Sequence, residues 1–199
     1  MTGKYVWNPM PHKVDINCPL CGGHAVFEFA EVVKIELKKD IPYFKASNCF
    51  EYKTHEDYCG HKWHGATYYA SLNGGSTATI TNLPDGYKPE DWDHSKYLIR
   101  SHNTDNGAFT CGICQTRKVY VLNWPSDAFY SLSYKGKSLW AFNRESLIDL
   151  RDFIESNDRN TERYKWASFL LHVPTIFKKK SARADILKQI NRMLEFNCS

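Results

Sequence analysis

Two pairs of cysteines with the spacing CxxC stand far apart in the chain, Cys18-Pro19-Leu20-Cys21 and Cys111-Gly112-Ile113-Cys114. Each pair presents two thiolates from one tight turn. Together they supply the four soft ligands of a closed tetrahedral zinc site. Such a site is saturated: it offers no open position to a substrate, so the chemistry it implies is structural. Pro19 shapes the first turn, and Gly22 and Gly23 let backbone amides approach the sulfurs. Gly112 does the same inside the second turn. Cys21 and Cys111 are 90 positions apart, a separation that costs little because loop-closure entropy grows only logarithmically with length.

Other residues compete for these roles. Cys59-Gly60-His61-Lys62-Trp63-His64 lies between the pairs. Cys18, Cys21 and Cys59 with His64 or His61 would make a Cys₃His site, leaving Cys111 and Cys114 to an incomplete one with Cys49. The plainer reading of Cys49 and Cys59 is packed strand thiols. Redox chemistry is disfavoured, because thioredoxin-like activity needs its CxxC before a helix in a βαβ unit, and both pairs here lie among strand patterns.

Catalysis has a weaker signature. His61, His64, Asp93, His94 and His102 would have to converge on a metal with an open position. The chain contains no HExxH, P-loop, GxSxG or GxGxxG sequence. His102-Asn103 is the one fragment similar to a His-Asn-His metal-finger nuclease. A metal-dependent hydrolase or nuclease using His61 and His64 is therefore the alternative function, behind a non-catalytic one.

The elements that must position these residues are read from periodicity. Residues 25–37 alternate apolar and polar side chains and predict a strand, with 41–52 returning as its partner across Lys38-Lys39-Asp40. Residues 64–72 and 77–81 predict a second hairpin across Asn73-Gly74-Gly75. A polar stretch from Leu83 to Gly107 reads as a long connection. Residues 109–114 with 118–122, and 128–134 with 138–142, predict two further hairpins. From Asn143, a good N-cap, apolar residues recur at helical spacing through 154. Further helices are expected over 161–172 and from Ser181 to about Phe196. The expected class is α+β: a zinc-ribbon-like antiparallel β body over 1–142 and a basic three-helix module over 143–199.

The formal net charge is +4 over 199 residues, and it is unevenly placed. From Asp158 to Ser199 nine Lys/Arg face four Asp/Glu, which points to an anionic partner. Lys178, Lys179, Lys180, Arg183, Lys188 and Arg192 surround the last predicted helix and are the candidate phosphate contacts, with Arg159, Arg163 and Lys165 able to extend them. A solvated helix face is the competing reading. Aromatic residues make up 15%, and we read most of them, Trp124, Trp140 and Trp166 included, as core packing rather than base-stacking platforms. The opening segment has no apolar h-region and no window suits a membrane span. The sequence reading is thus a cytoplasmic protein without a membrane partner, whose seven cysteines are thiols or metal ligands.

The segments CGIC, NWPSDAFYSL (123–132), KSLWAFNRESLIDLRDFIES (137–156) and Pro174–Leu194 resemble uncharacterised zinc-ribbon-like proteins of bacteria and phages that join a cysteine turn to a helical tail. The resemblance covers residues 111–194. It implies a bacterial or phage-borne zinc-binding protein and carries over no catalytic residue. The combined expectation is a structural Zn²⁺ on Cys18, Cys21, Cys111 and Cys114. Around it stands a binding module for nucleic acid or for a protein that processes nucleic acid.

Overall fold

A computed structural model of the protein describes residues 10–57, 59–94 and 105–195. It is mixed α+β, with antiparallel sheets and helices concentrated toward the C-terminus. The chain divides into two compact units, residues 25–123 and residues 1–24 with 124–199. This division by compactness cuts the chain at 24/25 and 123/124, whereas the change of periodicity falls at 142/143.

In the unit formed by 25–123, the alternating run at 25–37 does not make one strand. Strand β2 (His24–Phe29) ends at Ala30, and β3 (Glu31–Lys34) continues in another sheet. β2 pairs with β7 (Asn106–Cys111), in register Phe27↔Phe109, and β7 pairs with β8 (Arg117–Val121). The expected hairpin over 109–122 is present. β3 pairs with β5 (Lys62–Tyr68) and β6 (Asp93–His94), and β5 also pairs with β4 (Glu51–Glu56). Partnerships in this second sheet are mostly non-local.

Two further expectations fail here, the hairpin of 25–37 with 41–52 and that of 64–72 with 77–81: β3 pairs with β5 and β6, and β5 with β4. Residues 41–46, read as the start of a strand, form helix α1 (Ile41–Ala46), with Pro42 in its first turn, where a missing N–H costs nothing. Residues 77–79 form a 3₁₀ turn, and 70–73 form the short helix α2 (Ala70–Asn73), closed by Gly74 at φ +80°. The physical reason is side-chain burial. Phe44 is fully buried against Tyr43, Phe50, Tyr87 and Trp92, with ring centroids 5.1 to 6.3 Å apart. An aromatic core of this kind decides backbone conformation over weak local propensity.

The other unit holds β1 (Lys13–Asn17), the hairpin β9 (Ser131–Tyr134) and β10 (Lys137–Trp140), and the helices α3 (Arg144–Glu155), α4 (Ala167–Leu171) and α5 (Lys180–Glu195). Asn143 caps α3 as expected: its Oδ1 accepts from Ser146 N at 2.9 Å, and Ser146 Oγ accepts from Asn143 N at 3.0 Å. α5 buries Ala182, Ile186, Ile190 and Leu194 along one stripe. The expected helix over 161–172 is shorter, a 3₁₀ turn at 161–163 followed by α4. Trp124, Trp140, Phe142 and Phe169 pack ring on ring, and half-buried Trp166 joins them at Phe142. Packing is thus the role these tryptophans take.

Candidate metal centre

β1 leads into the first cysteine turn and is fixed within its unit. Asp15 N donates to Phe142 O at 2.7 Å, Phe129 N to Asp15 O at 3.1 Å and Asn17 N to Asp127 O at 2.8 Å. Val14 and Ile16 on its inner face are fully buried. The chain then turns: Gly22 N donates to Cys18 O at 2.9 Å and Cys18 N to Gly23 O at 2.7 Å, with Gly22 at φ +74°. Only glycine adopts that conformation without strain.

The second turn is built the same way from β7. Cys111 N donates to Thr116 O at 2.9 Å, and Gln115, four residues after the first cysteine as Gly22 is, has φ +56°. Cys114 N donates to Cys111 Sγ at 3.5 Å, and the Cys114 thiol donates to Thr116 Oγ1 at 3.3 Å.

The sulfurs of Cys18, Cys21, Cys111 and Cys114 all lie within 4.8 Å of one another. Sulfurs about 2.3 Å from a tetrahedral zinc stand roughly 3.8 Å apart. Cys18 and Cys111 are 3% and 1% exposed, whereas Cys21 and Cys114 are exposed. Among the described residues no cysteine is in a disulfide. The four-cysteine cluster could hold a metal ion, and its all-sulfur donor set suits zinc among the common ions.

The rival arrangements are not the ones assembled. Cys59 groups with Asp57 and His61 in the turn between β4 and β5, all three exposed. Asp57 Oδ1 accepts from His61 N at 2.8 Å and Cys59 N at 2.9 Å; the His61 amide foremost, then the Cys59 amide and the His61 ring, hold the Asp57 carboxyl below its ordinary pKa. His64 instead stacks on Tyr52, with 2.6 Å between its Nδ1 and the phenol oxygen. Cys49 is exposed in the turn after α1, its N–H donating to Ser47 Oγ at 3.3 Å. Asp93 lies in β6, while the His94 side chain and His102-Asn103 lie outside the described residues.

The basic residues divide on inspection. Lys179, Lys180, Lys188 and Arg192 are exposed, and Lys178 is partly so. Arg183 lies toward the buried stripe of α5, where its guanidinium donates to Asn157 Oδ1 at 2.9 Å and Ser156 O at 3.4 Å, beyond the end of α3. Its first task is structural, a tie that spacing alone does not reveal. Lys165 pairs with Glu145 at 2.6 Å, and Arg163 donates to Asp158 O at 3.1 Å. Arg159, Lys178 and Lys179 line a cavity of about 400 Å³ with Phe153, Leu170 and Leu171. No helix among the described residues is long and apolar enough to cross a membrane. Compared with protein-family models, with curated proteins and with solved structures, the chain matches none.

Proposed function

We propose that this chain is a zinc-stabilised, non-catalytic binding protein whose target is nucleic acid or a protein that works on it. The observation that carries the metal half is the grouping of four sulfurs, from two turns of matching geometry, within 4.8 Å of one another. Four thiolates fill the tetrahedral shell of zinc and leave no site for water or substrate, so the ion would act on stability and not on a reaction. A zinc-ribbon-like β body and a three-helix basic tail are the architecture that goes with this reading.

What supports the binding half is charge placement. Lys180, Lys188 and Arg192 share the solvent side of α5, and Lys178 and Lys179 border a cavity with an apolar floor. Cations beside an apolar recess suit a phosphate backbone with an adjoining base. The hydrolase alternative has less behind it, since His61 and His64 are held by different partners, Asp57 and Tyr52.

The test is titration of the zinc-loaded chain with fluorescent single- and double-stranded oligonucleotides at several salt concentrations. Binding should weaken as salt rises, and Lys179→Ala/Lys180→Ala/Lys188→Ala should reduce both the affinity and the salt slope, the slope by about one for each phosphate the variant no longer neutralises. Salt-independent binding, or binding untouched by these substitutions, would overturn the nucleic-acid assignment.

A further inference from the structure

The turn joining β4 to β5 carries a second donor set, independent of the four cysteines. Asp57, Cys59 and His61 each place a ligand atom within 4.8 Å of the other two. Asp57 Oδ2 lies 3.2 Å from His61 Nδ1. Two ligands each about 2.0 Å from a tetrahedral ion stand roughly 3.3 Å apart, so the spacing that makes a hydrogen bond here also suits co-ligation of one ion.

The turn is held in shape by its own backbone. Asp57 N donates to His61 O at 2.9 Å, Gly60 N donates to Asp57 O at 3.0 Å, and Gly60 has φ +82°. Oδ1 of Asp57 is occupied by the two amides of Cys59 and His61. That aims Oδ2 at the imidazole, in the manner of the outer-shell contacts that orient metal ligands. Little reorganisation is needed when an ion arrives.

We infer that Asp57, Cys59 and His61 form a second, solvent-open metal site for a borderline transition ion such as Zn²⁺ or Co²⁺. One thiolate, one imidazole and one carboxylate select these ions over Mg²⁺ and Ca²⁺, which take oxygen ligands. Thiolate and carboxylate together neutralise a divalent charge. Three protein ligands leave the fourth position to water or a small anion, a pattern that the saturated four-sulfur cluster cannot offer. With all three ligands exposed, the ion exchanges with bulk solution and binds more weakly than one on four thiolates.

The test is isothermal titration of Co²⁺ into the full chain already carrying one equivalent of zinc. The expected result is a further binding event of one ion per chain, weakened at least about tenfold in both Cys59→Ala and His61→Ala, while His172→Ala, an exposed histidine elsewhere, leaves it unchanged. Because the three ligands are exposed, these variants retain the fold, which circular dichroism checks. Absence of a further event overturns the site, as does an event that survives Cys59→Ala/His61→Ala. A metal-dependent rise in mass by light scattering would also overturn it, since the open position would then belong to a second copy. The same titration into metal-free chain must show the event that depends on Cys59 and His61 whether or not the four-cysteine site binds, which keeps the two outcomes distinguishable.

Discussion

Cys18 and Cys111 make the same contact: each donates its backbone N–H to the carbonyl five residues further on, to Gly23 O at 2.7 Å and to Thr116 O at 2.9 Å. In both turns the fourth residue past that cysteine is left-handed, Gly22 at φ +74° and Gln115 at φ +56°. The equivalence extends to the backbone and not to the side chains. That difference makes the first prediction.

A Cβ at Gly22 would meet nothing within 4 Å, so Gly22→Ala adds backbone strain alone and should destabilise by about 1 kcal/mol. Gln115→Gly relieves a comparable strain but loses the side-chain hydrogen bond from Gln115 Nε2 to Gly112 O, worth about 1 kcal/mol at most. The two effects nearly cancel. Denaturant unfolding should find Gly22→Ala clearly weakened and Gln115→Gly within about 0.5 kcal/mol of the parent.

Thr116 supplies a test of ligand chemistry. Its Oγ1 accepts from the Cys114 thiol at 3.3 Å, but a metal-bound sulfur has no proton, and there the hydroxyl would donate instead. Thr116→Val keeps shape and removes the donor. Zinc dissociation, followed with a chromophoric chelator, should become about tenfold more favourable; an unchanged affinity would remove Thr116 from the metal's surroundings.

Gly107 and Gly65 look alike in sequence and differ in what surrounds them. A Cβ on Gly107 would lie 2.3 Å from Glu28 O and 2.3 Å from the Phe27 ring, whereas one on Gly65 would meet the rings of His55 at 2.8 Å and Trp63 at 2.9 Å. Backbone and a fully buried ring cannot move aside; two partly exposed rings stacked 4.2 Å apart can. Gly107→Ala should therefore cost about 3 kcal/mol or more and Gly65→Ala about 1 kcal/mol, measured by thermal or denaturant unfolding. Equal losses would contradict the register of β2 on β7.

These glycines show how far local pattern reaches. The hairpin over 131–140 is legible because Lys135-Gly136 is a turn pair, and both residues have positive φ, +49° and +73°. α3 is legible from Asn143 and its apolar spacing, and the two CxxC turns announce the cluster. Helix α1 is not, because it is fixed by Phe44 entering a core contributed by Phe50, Tyr87 and Trp92. Nor is the pairing of β5 between β4 and β3, or the break at Ala30. Ala30 N donates to Asn106 O at 3.0 Å, a partner 76 positions away that no alternation of side chains encodes. Charge alone puts Arg183 in the basic patch, while its contacts to Ser156 and Asn157 depend on where α5 packs.

Two buried phenols make stability fall at alkaline pH. Burial, with a smaller contribution from the Asp15 charge, pushes Tyr130 up to about 12. Burial also raises Tyr69, whose hydroxyl donates to Glu51 Oε2 at 2.5 Å. The folded chain thus keeps these protons at a pH where the unfolded chain, with phenols near about 10, has released them. The contribution of Tyr130 is complete below about pH 10 and is lost as pH rises toward about 12, and that of Tyr69 is lost at higher pH still. Unfolding free energy should fall across that window, and Tyr130→Phe should make the fall shallower. A curve unchanged by Tyr130→Phe would place the titration elsewhere.

The proposed zinc site requires that Cys18, Cys21, Cys111 and Cys114 hold one ion between them. Native mass spectrometry of the purified chain, after dialysis against a mild chelator that strips weak sites, decides the matter. One zinc per folded chain is expected, lost in Cys111→Ser and retained in Cys49→Ser and Cys59→Ser. A folded chain without metal, or zinc that persists in Cys111→Ser, would contradict the assignment.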